Sequence, residues 1–330
     1  MKDDAVAPVI AVMLILAAIV TFFSIYNAIY VPSMKESSEV GHLHNVEESF
    51  EKFSSDIDYA ASSHQNYLTF SEPVQLGGGD FMFNLLKSSG TLSVVQDRNT
   101  SRVSENTIYN LTFYANDDTT TSIGSLNGTL VNFSYEPTSN FWQDQGYQWQ
   151  YGYINITKYG GMLKTPLSYD TMDNVTNAIE SGSLLTFAKS FATVDYTVNT
   201  TPPQGNTNPG GNCSSLDLVA VNITASPDHS FISSNGYGTL KLTSNVNSTP
   251  FPSQITNITF MSDQEPFGNA TVDNLNETLF KVSTVCGYNI NPDPSGTNTS
   301  LHQYQYDITQ TEDSPINVNL TVVEIQIEAY

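Results

Sequence analysis

Residues Ala5 to Tyr26 form a 22-residue run without a charge. As a helix that run spans roughly 33 Å, enough to cross the hydrocarbon core of a bilayer. From Ser33 to Ser62 the pattern changes. Apolar residues recur at Val40, Leu43, Val46, Phe50, Phe53, Ile57 and Ala60, three or four apart. That period predicts an amphipathic helix with one buried stripe. Glu39, Glu47, Glu48, Glu51, Lys52 and Asp56 fall mostly off the stripe. A stalk helix packed on its own domain is the favoured reading; a coiled-coil contact with another subunit also fits. Pro32 disfavours helix at Val31, which predicts a kink or interruption between the two segments.

Further on, the period shortens to two. Alternation predicts strands over 108–115, 128–136, 147–157, 216–225, 237–244, 255–261 and 318–327. Gly77-Gly78-Gly79, Gly160-Gly161 and Asn235-Gly236 read as turns, and a short helix is expected around Ser168 to Ser181. Residues 199–215 lack any core-forming side chain and read as a long loop or linker. One continuous β domain with a long loop is favoured over two domains. Tyr147, Trp149, Tyr151 and Tyr153 fall on one face of a single strand. Core packing explains such a row best; a subunit interface or stacking on sugars are the alternatives.

The fold class expected is therefore α+β. A transmembrane and stalk α-helix leads into an all-β, sandwich-like extracellular domain. The segments are a charged head at 1–4, an apolar helix at 5–30, a stalk at 31–62 and a β-rich ectodomain at 63–330. An ordinary secretory signal has a shorter apolar core and a small-x-small cleavage site behind it. Here Tyr26-Asn-Ala-Ile-Tyr-Val-Pro32 follows, with tyrosines where interfacial aromatics belong, so the helix is expected to be retained.

The head and first turn, Asp3-Asp4-Ala5-Val6-Ala7-Pro8-Val9-Ile10-Ala11-Val12-Met13-Leu14, resemble the N-termini of archaeal type IV pilins and pilin-like proteins, with their class III signal. The usual pattern is a charged pair followed by Ala-Val-Ser-Pro-Val-Ile-Gly and an aliphatic run. Ala7 stands where Ser is usual and Ala11 where Gly is usual. The likeness covers about 25 residues and the following helix, under a fifth of the chain. It implies cleavage by a membrane leader peptidase between Asp4 and Ala5, with a cut after Lys2 as the alternative. It also implies partners in membrane lipid and in other pilin-like subunits bundled through this helix. The implied role is a subunit of a pilus-like filament, minor or adhesive given its size. The rival is a monomeric, membrane-anchored glycosylated envelope protein.

Pro8 suits the first turn of a helix, where its missing N–H has no partner to lose. Once the charged head is gone, the apolar end can move sideways from lipid into a bundle of like helices. Val9 would be the fifth mature residue, where bacterial pilins carry Glu, so no acidic register lock is expected.

Net charge is −22, from 11 basic and 33 acidic residues, which makes nucleic acid and anionic membrane surfaces poor partners. Charged residues are only 13% of the chain, and aromatics are 11%. Solubility is carried by Ser, Thr, Asn and Tyr, as in extracellular β-rich proteins, and the aromatic content argues against a disordered tail. Cys213 and Cys286 form an even pair in the outward region, which suggests a disulfide; two buried thiols remain the alternative. A bridge of that span could add on the order of 4 kcal/mol of stability in the chain-entropy view.

Asn-x-Ser/Thr occurs at Asn99, Asn110, Asn127, Asn132, Asn155, Asn174, Asn199, Asn212, Asn222, Asn247, Asn257, Asn269, Asn276, Asn298 and Asn319. Fifteen such sequons is twice the chance level of about 7 for 31 Asn and 72 Ser plus Thr in 330 residues. Each is a candidate glycan acceptor on the outer face of a secreted chain. Asn110, Asn132, Asn155, Asn222, Asn257 and Asn319 are followed by an apolar residue, which is also the pattern of a strand with one wet face. Asn is nevertheless a poor strand residue.

Catalytic patterns are missing: no Gly-x-Ser-x-Gly, no phosphate-binding glycine loop, no His-Glu-x-x-His. Neither enzyme activity nor a cofactor or metal is expected. The histidines are His42, His44, His64, His229 and His302; His42 and His44, two apart on a helix, read as solvated. Asn291-Pro-Asp-Pro-Ser-Gly296 opens like a calcium loop but has His302 at the twelfth position, so a turn is the better reading.

Overall fold

In the computed structural model the chain is described over residues 6–78, 88–96, 109–115, 122–139, 145–150, 152–158, 162–164, 192–198, 213–251, 255–262, 274–275, 277–282, 284–285, 289–292, 303–309 and 317–330. It is α+β: one long N-terminal helix followed by a β-rich region of curled sheets. The expected helix at 168–181 and the Gly160-Gly161 turn lie outside the described residues.

The helix starts as α1 (Val6–Ile25), passes through a π-turn at Tyr26–Tyr30 and continues as α2 (Val31–Ser63). The expected interruption at Pro32 does not occur. Proline cannot donate to the carbonyl four residues back, and its ring crowds that carbonyl. The chain answers by widening the preceding turn, where Val31 N–H bonds Tyr26 O five residues back. Helical dihedrals hold on both sides, at Ile25 and Val31. The helix ends at His64 in the left-handed conformation, φ 51°.

The strands are β1 (Thr69–Gln75), β2 (Ser89–Gln96), β3 (Tyr109–Ala115), β4 (Ser122–Gly128), β5 (Val131–Ser139), β6 (Gln145–Gln150), β7 (Tyr153–Lys158) and β8 (Met162–Lys164). They continue with β9 (Ala192–Val198), β10 (Cys213–Ala225), β11 (Phe231–Ser234), β12 (Tyr237–Pro250), β13 (Ile255–Ser262), β14 (Asn289–Pro292), β15 (Gln303–Thr309) and β16 (Asn317–Ala329). They make three sheets: β1-β12-β16-β10-β9, β11-β2-β5-β6-β7-β8 and β14-β15-β13-β3-β4.

In the first sheet β10 and β16 run parallel, Leu216 opposite Val318 and Ile223 opposite Ile325. Leu218, Val219, Ala220 and Val221 are consecutively buried, as a strand covered on both faces requires. β12 alternates instead, with Gly238, Leu240, Leu242 and Ser244 buried. Val198 pairs with Cys213 across β9 and β10. Residues 199–212 thus connect neighbouring strands of one sheet, and 213–215, read as loop, belong to β10.

Two other expected strands divide. The strand at 128–136 is the end of β4, a link at Thr129-Leu130, and most of β5. The strand at 147–157 is a hairpin, in which Gln150 pairs with Tyr153 and Gly152 takes φ 83°. A positive φ at the turn is what glycine permits.

α2 lies within the core. It packs against β1, β12 and β16 of the first sheet and β6 and β7 of the second. Leu43, Val46, Phe50, Phe53, Ile57, Ala60 and Ala61 are buried in the main hydrophobic cluster. Phe50 and Phe53 meet Phe133 of β5 at ring-centroid distances of 5.0 and 5.4 Å. Phe133 stacks on Trp149 of β6 at 4.9 Å with a 10° interplanar angle. Val40 departs from the expected stripe: it is 51% exposed, because the buried face begins at Glu39 and His42.

Candidate functional site

The feature with most chemistry to explain is α1, which is apolar on all sides. Its apolar run is unburied, and the helix is long and apolar enough to cross a membrane. Val9, Val12, Leu14, Leu16, Val20 and Phe22 all stand exposed. At about 25 cal/mol per Å², a surface of this kind is strongly favoured to enter lipid or to meet another apolar surface. Tyr26 and Tyr30 stack at 6.1 Å and 15° where the apolar run ends. Asp4 and Ala5, the expected leader junction, lie outside the described residues.

Where α2 enters the β-rich region, Glu39 and His42 are buried, at 2% and 3% exposure. His42 is therefore no solvated helix residue. Its Nε2 lies 2.7 Å from Gln75 O, and with the proton on Nε2 it donates there. Its ring meets Tyr135 edge-on at 5.7 Å. A Cβ on Gly78 would sit 2.6 Å from the ring, so the absence of a side chain there makes room for the imidazole. Burial holds His42 below its usual pKa, against an opposing effect of the Gln75 bond. Residues two apart on a helix face different ways, and on α2 the His42 side is the buried one. His44 is exposed.

Lower on the stalk, Trp149 Nε1 donates to Ser54 Oγ at 2.8 Å. Tyr147 is also buried, and burial pushes its phenol up to about 12. Two members of the aromatic row thus pack in the core. The hairpin turn separates them from Tyr153, whose side chain, like Tyr151, lies outside the described part. Asp58 is half-buried, and desolvation raises its carboxyl to about 6.

At the far end of α2 the turn is firmly bonded. Asn66 donates to Val246 O and accepts from Val246 N–H, copying a strand's bonding. Ser244 Oγ donates to Gln65 O. This turn presents Tyr67, φ 59° and 84% exposed.

The sequons divide by environment. Asn99, Asn174, Asn199, Asn212, Asn269, Asn276 and Asn298 lie outside the described residues, and Asn257 is described only as backbone of β13. In Asn110-Leu-Thr, Asn132-Phe-Ser and Asn222-Ile-Thr the middle residue is buried and its neighbours are half-exposed. Asn222 Oδ1 accepts from Thr129 N–H at 2.9 Å and lies 2.6 Å from Thr129 Oγ1. Ile223 N–H bonds Thr129 O. Gln96 completes this clasp: Nε2 donates to Leu130 O at 2.7 Å, and Oε1 accepts from Ala225 N–H at 3.0 Å. The side chains join all three sheets, since Thr129-Leu130 links β4 to β5 while Asn222 and Gln96 lie on β10 and β2. Nothing in the sequence marked Gln96.

The Cys286 half of the expected disulfide lies outside the described residues, and of Cys213 only the backbone, on β10, is described. Of the calcium-like stretch, Asn291 and Pro292 lie on β14, paired with Asp307 and Tyr306; the rest and His302 lie outside. Among the described residues no three His, Cys, Asp or Glu side chains cluster as metal ligands. No family model, curated protein or solved structure matches the chain.

Proposed function

We propose that the chain is a pilin-like surface protein, held by its N-terminal helix in a membrane or filament core, with a sandwich-like β ectodomain outside the cell. Its favoured role is a minor or adhesive subunit of a type IV pilus-like filament. One observation carries this reading: a wholly unburied apolar helix runs without a break into a stalk that is itself part of the ectodomain core. A disposable signal sequence has no use for such continuity. The resemblance of Asp3 to Leu14 to archaeal pilins adds the leader cut between Asp4 and Ala5.

Two measurements on the protein from its host test this. Mass spectrometry of the native N-terminus should find Ala5 first. Sheared surface fibres should bind antibody raised against the β region. An intact Met1 with all antigen in the membrane fraction favours the monomeric anchor. A chain starting beyond Tyr30 and free in the medium defeats both.

A further inference from the structure

Glycosylation is expected of many asparagines by motif, but the fold does not offer them equally. In Asn247-Ser248-Thr249 on β12 all three residues are exposed, which holds for no other sequon whose three side chains are described. In the other described sequons the middle residue turns inward, so the asparagine stands beside the core. β12 outruns that arrangement. Past Val246 it has gone beyond the end of α2, and 247–250 are exposed in succession.

Hydrogen bonding sharpens the contrast. Among the described residues Asn247 Nδ2 has only a long contact with Glu324 Oε2, 3.4 Å, near the limit of a useful bond. Asn319 Nδ2 donates to Asp217 Oδ1 at 2.6 Å, half-buried; a bond to a carboxylate is among the stronger kinds. Asn110 Nδ2 donates to Asn127 Oδ1 at 2.7 Å. Asn222 is fixed through Oδ1 in the three-sheet clasp. These side chains already have structural work, which also explains why a poor strand residue recurs in strands.

We infer that Asn247 carries an N-linked glycan, and that Asn110, Asn222 and Asn319 are structural amides left unmodified in the folded protein. The inference rests on the extracellular reading above. The donor is a sugar linked through its anomeric carbon to a lipid phosphate. The C1–O bond to phosphate breaks, C1 bonds Nδ2, Nδ2 gives up one proton, and the lipid phosphate leaves. The glycan then projects beside the bonded turn that presents Tyr67, since Asn66 of that turn pairs with Val246.

The test uses full-length protein purified from host membranes. Fragmentation that keeps sugar on its asparagine should place a glycan on Asn247, and Asn247→Gln should remove that mass alone. Peptides bearing Asn110, Asn222 and Asn319 should have unmodified masses. Protease applied to intact cells reads exposure of the β region separately. Cleavage together with a bare Asn247, or with sugar on Asn110, Asn222 or Asn319, overturns the inference and spares the extracellular reading. Resistance of the β region together with no sugar at any sequon overturns both.

Discussion

Trp149 and Ser54 join the stalk to the second sheet through a 2.8 Å bond from indole N–H to hydroxyl, with the ring fully buried. Removing the acceptor strips a buried donor of that partner. Ser54→Ala should cost about 1–3 kcal/mol. Urea unfolding of the detergent-solubilised chain, followed by tryptophan fluorescence, measures it. A change within about 0.5 kcal/mol would mean that the bond is replaced by water.

Phe50 and Val40 give a second contrast on the same helix. Phe50→Ala opens a hole beneath Phe133 and should lower stability by about 3–5 kcal/mol. Val40→Ala should move it by no more than about 0.5 kcal/mol, since Val40 stands in solvent. If helices bundle along this face, Val40→Asp should reduce the yield of sheared fibres while the unfolding midpoint stays near that of the parent. Equal fibre yield would remove Val40 from any subunit contact.

Asp58 and His42 predict opposite responses to pH. Asp58 is raised to about 6 from 3.8, so the folded chain holds its proton more tightly than the unfolded one. Its contribution is full below about pH 4 and is lost as pH rises through 6, a difference on the order of 3 kcal/mol. Asp58→Asn should raise the urea midpoint at pH 7 and leave it nearly unchanged at pH 4. His42 is lowered from 6.5, so its contribution is present above that pH and lost as pH falls towards the folded value. His42→Gln should flatten the acid side of the profile. A parallel pair of profiles for parent and Asp58→Asn would show that this carboxyl is hydrated in solution.

Gln96 offers a test of how the sheets hold together. Gln96→Leu keeps the bulk but abandons Leu130 O and Ala225 N–H, each bonded in the parent. The expected loss is about 1–3 kcal/mol per polar group that water does not reach. Hydrogen exchange should quicken at Ala225 and Ile223 before the stalk is affected. Uniformly faster exchange would mean the clasp is not a separable joint.

The elements that were legible in the sequence share one property: their burial follows a single local period. The stalk stripe from Leu43 to Ala60, and the alternation in β12, needed no knowledge of a partner strand. His42 was misread because its burial is set by Gly78, Gln75 and Tyr135, distant residues on other elements. The parallel pairing of β10 with β16 brings Leu216 to Val318, and no local pattern announces so remote a neighbour. The hairpin at Gly152 was hidden because the aromatics on either side keep alternating. At the sequons, one motif serves two purposes: Asn222 and Asn247 share it, while Thr129 and the end of α2 give them different surroundings.

From Val6 to Ser63 the backbone is helical throughout, a lever about 87 Å long. A slack tether would let the head swivel freely about its root. Here torque applied at the α1 end must turn the head as well, like a key in a lock. The single wide turn before Pro32 sets the azimuth between the two ends, since one added residue rotates everything beyond it by about 100°. The direction in which Tyr67 and Asn247 face outward is thus geared to the orientation of α1.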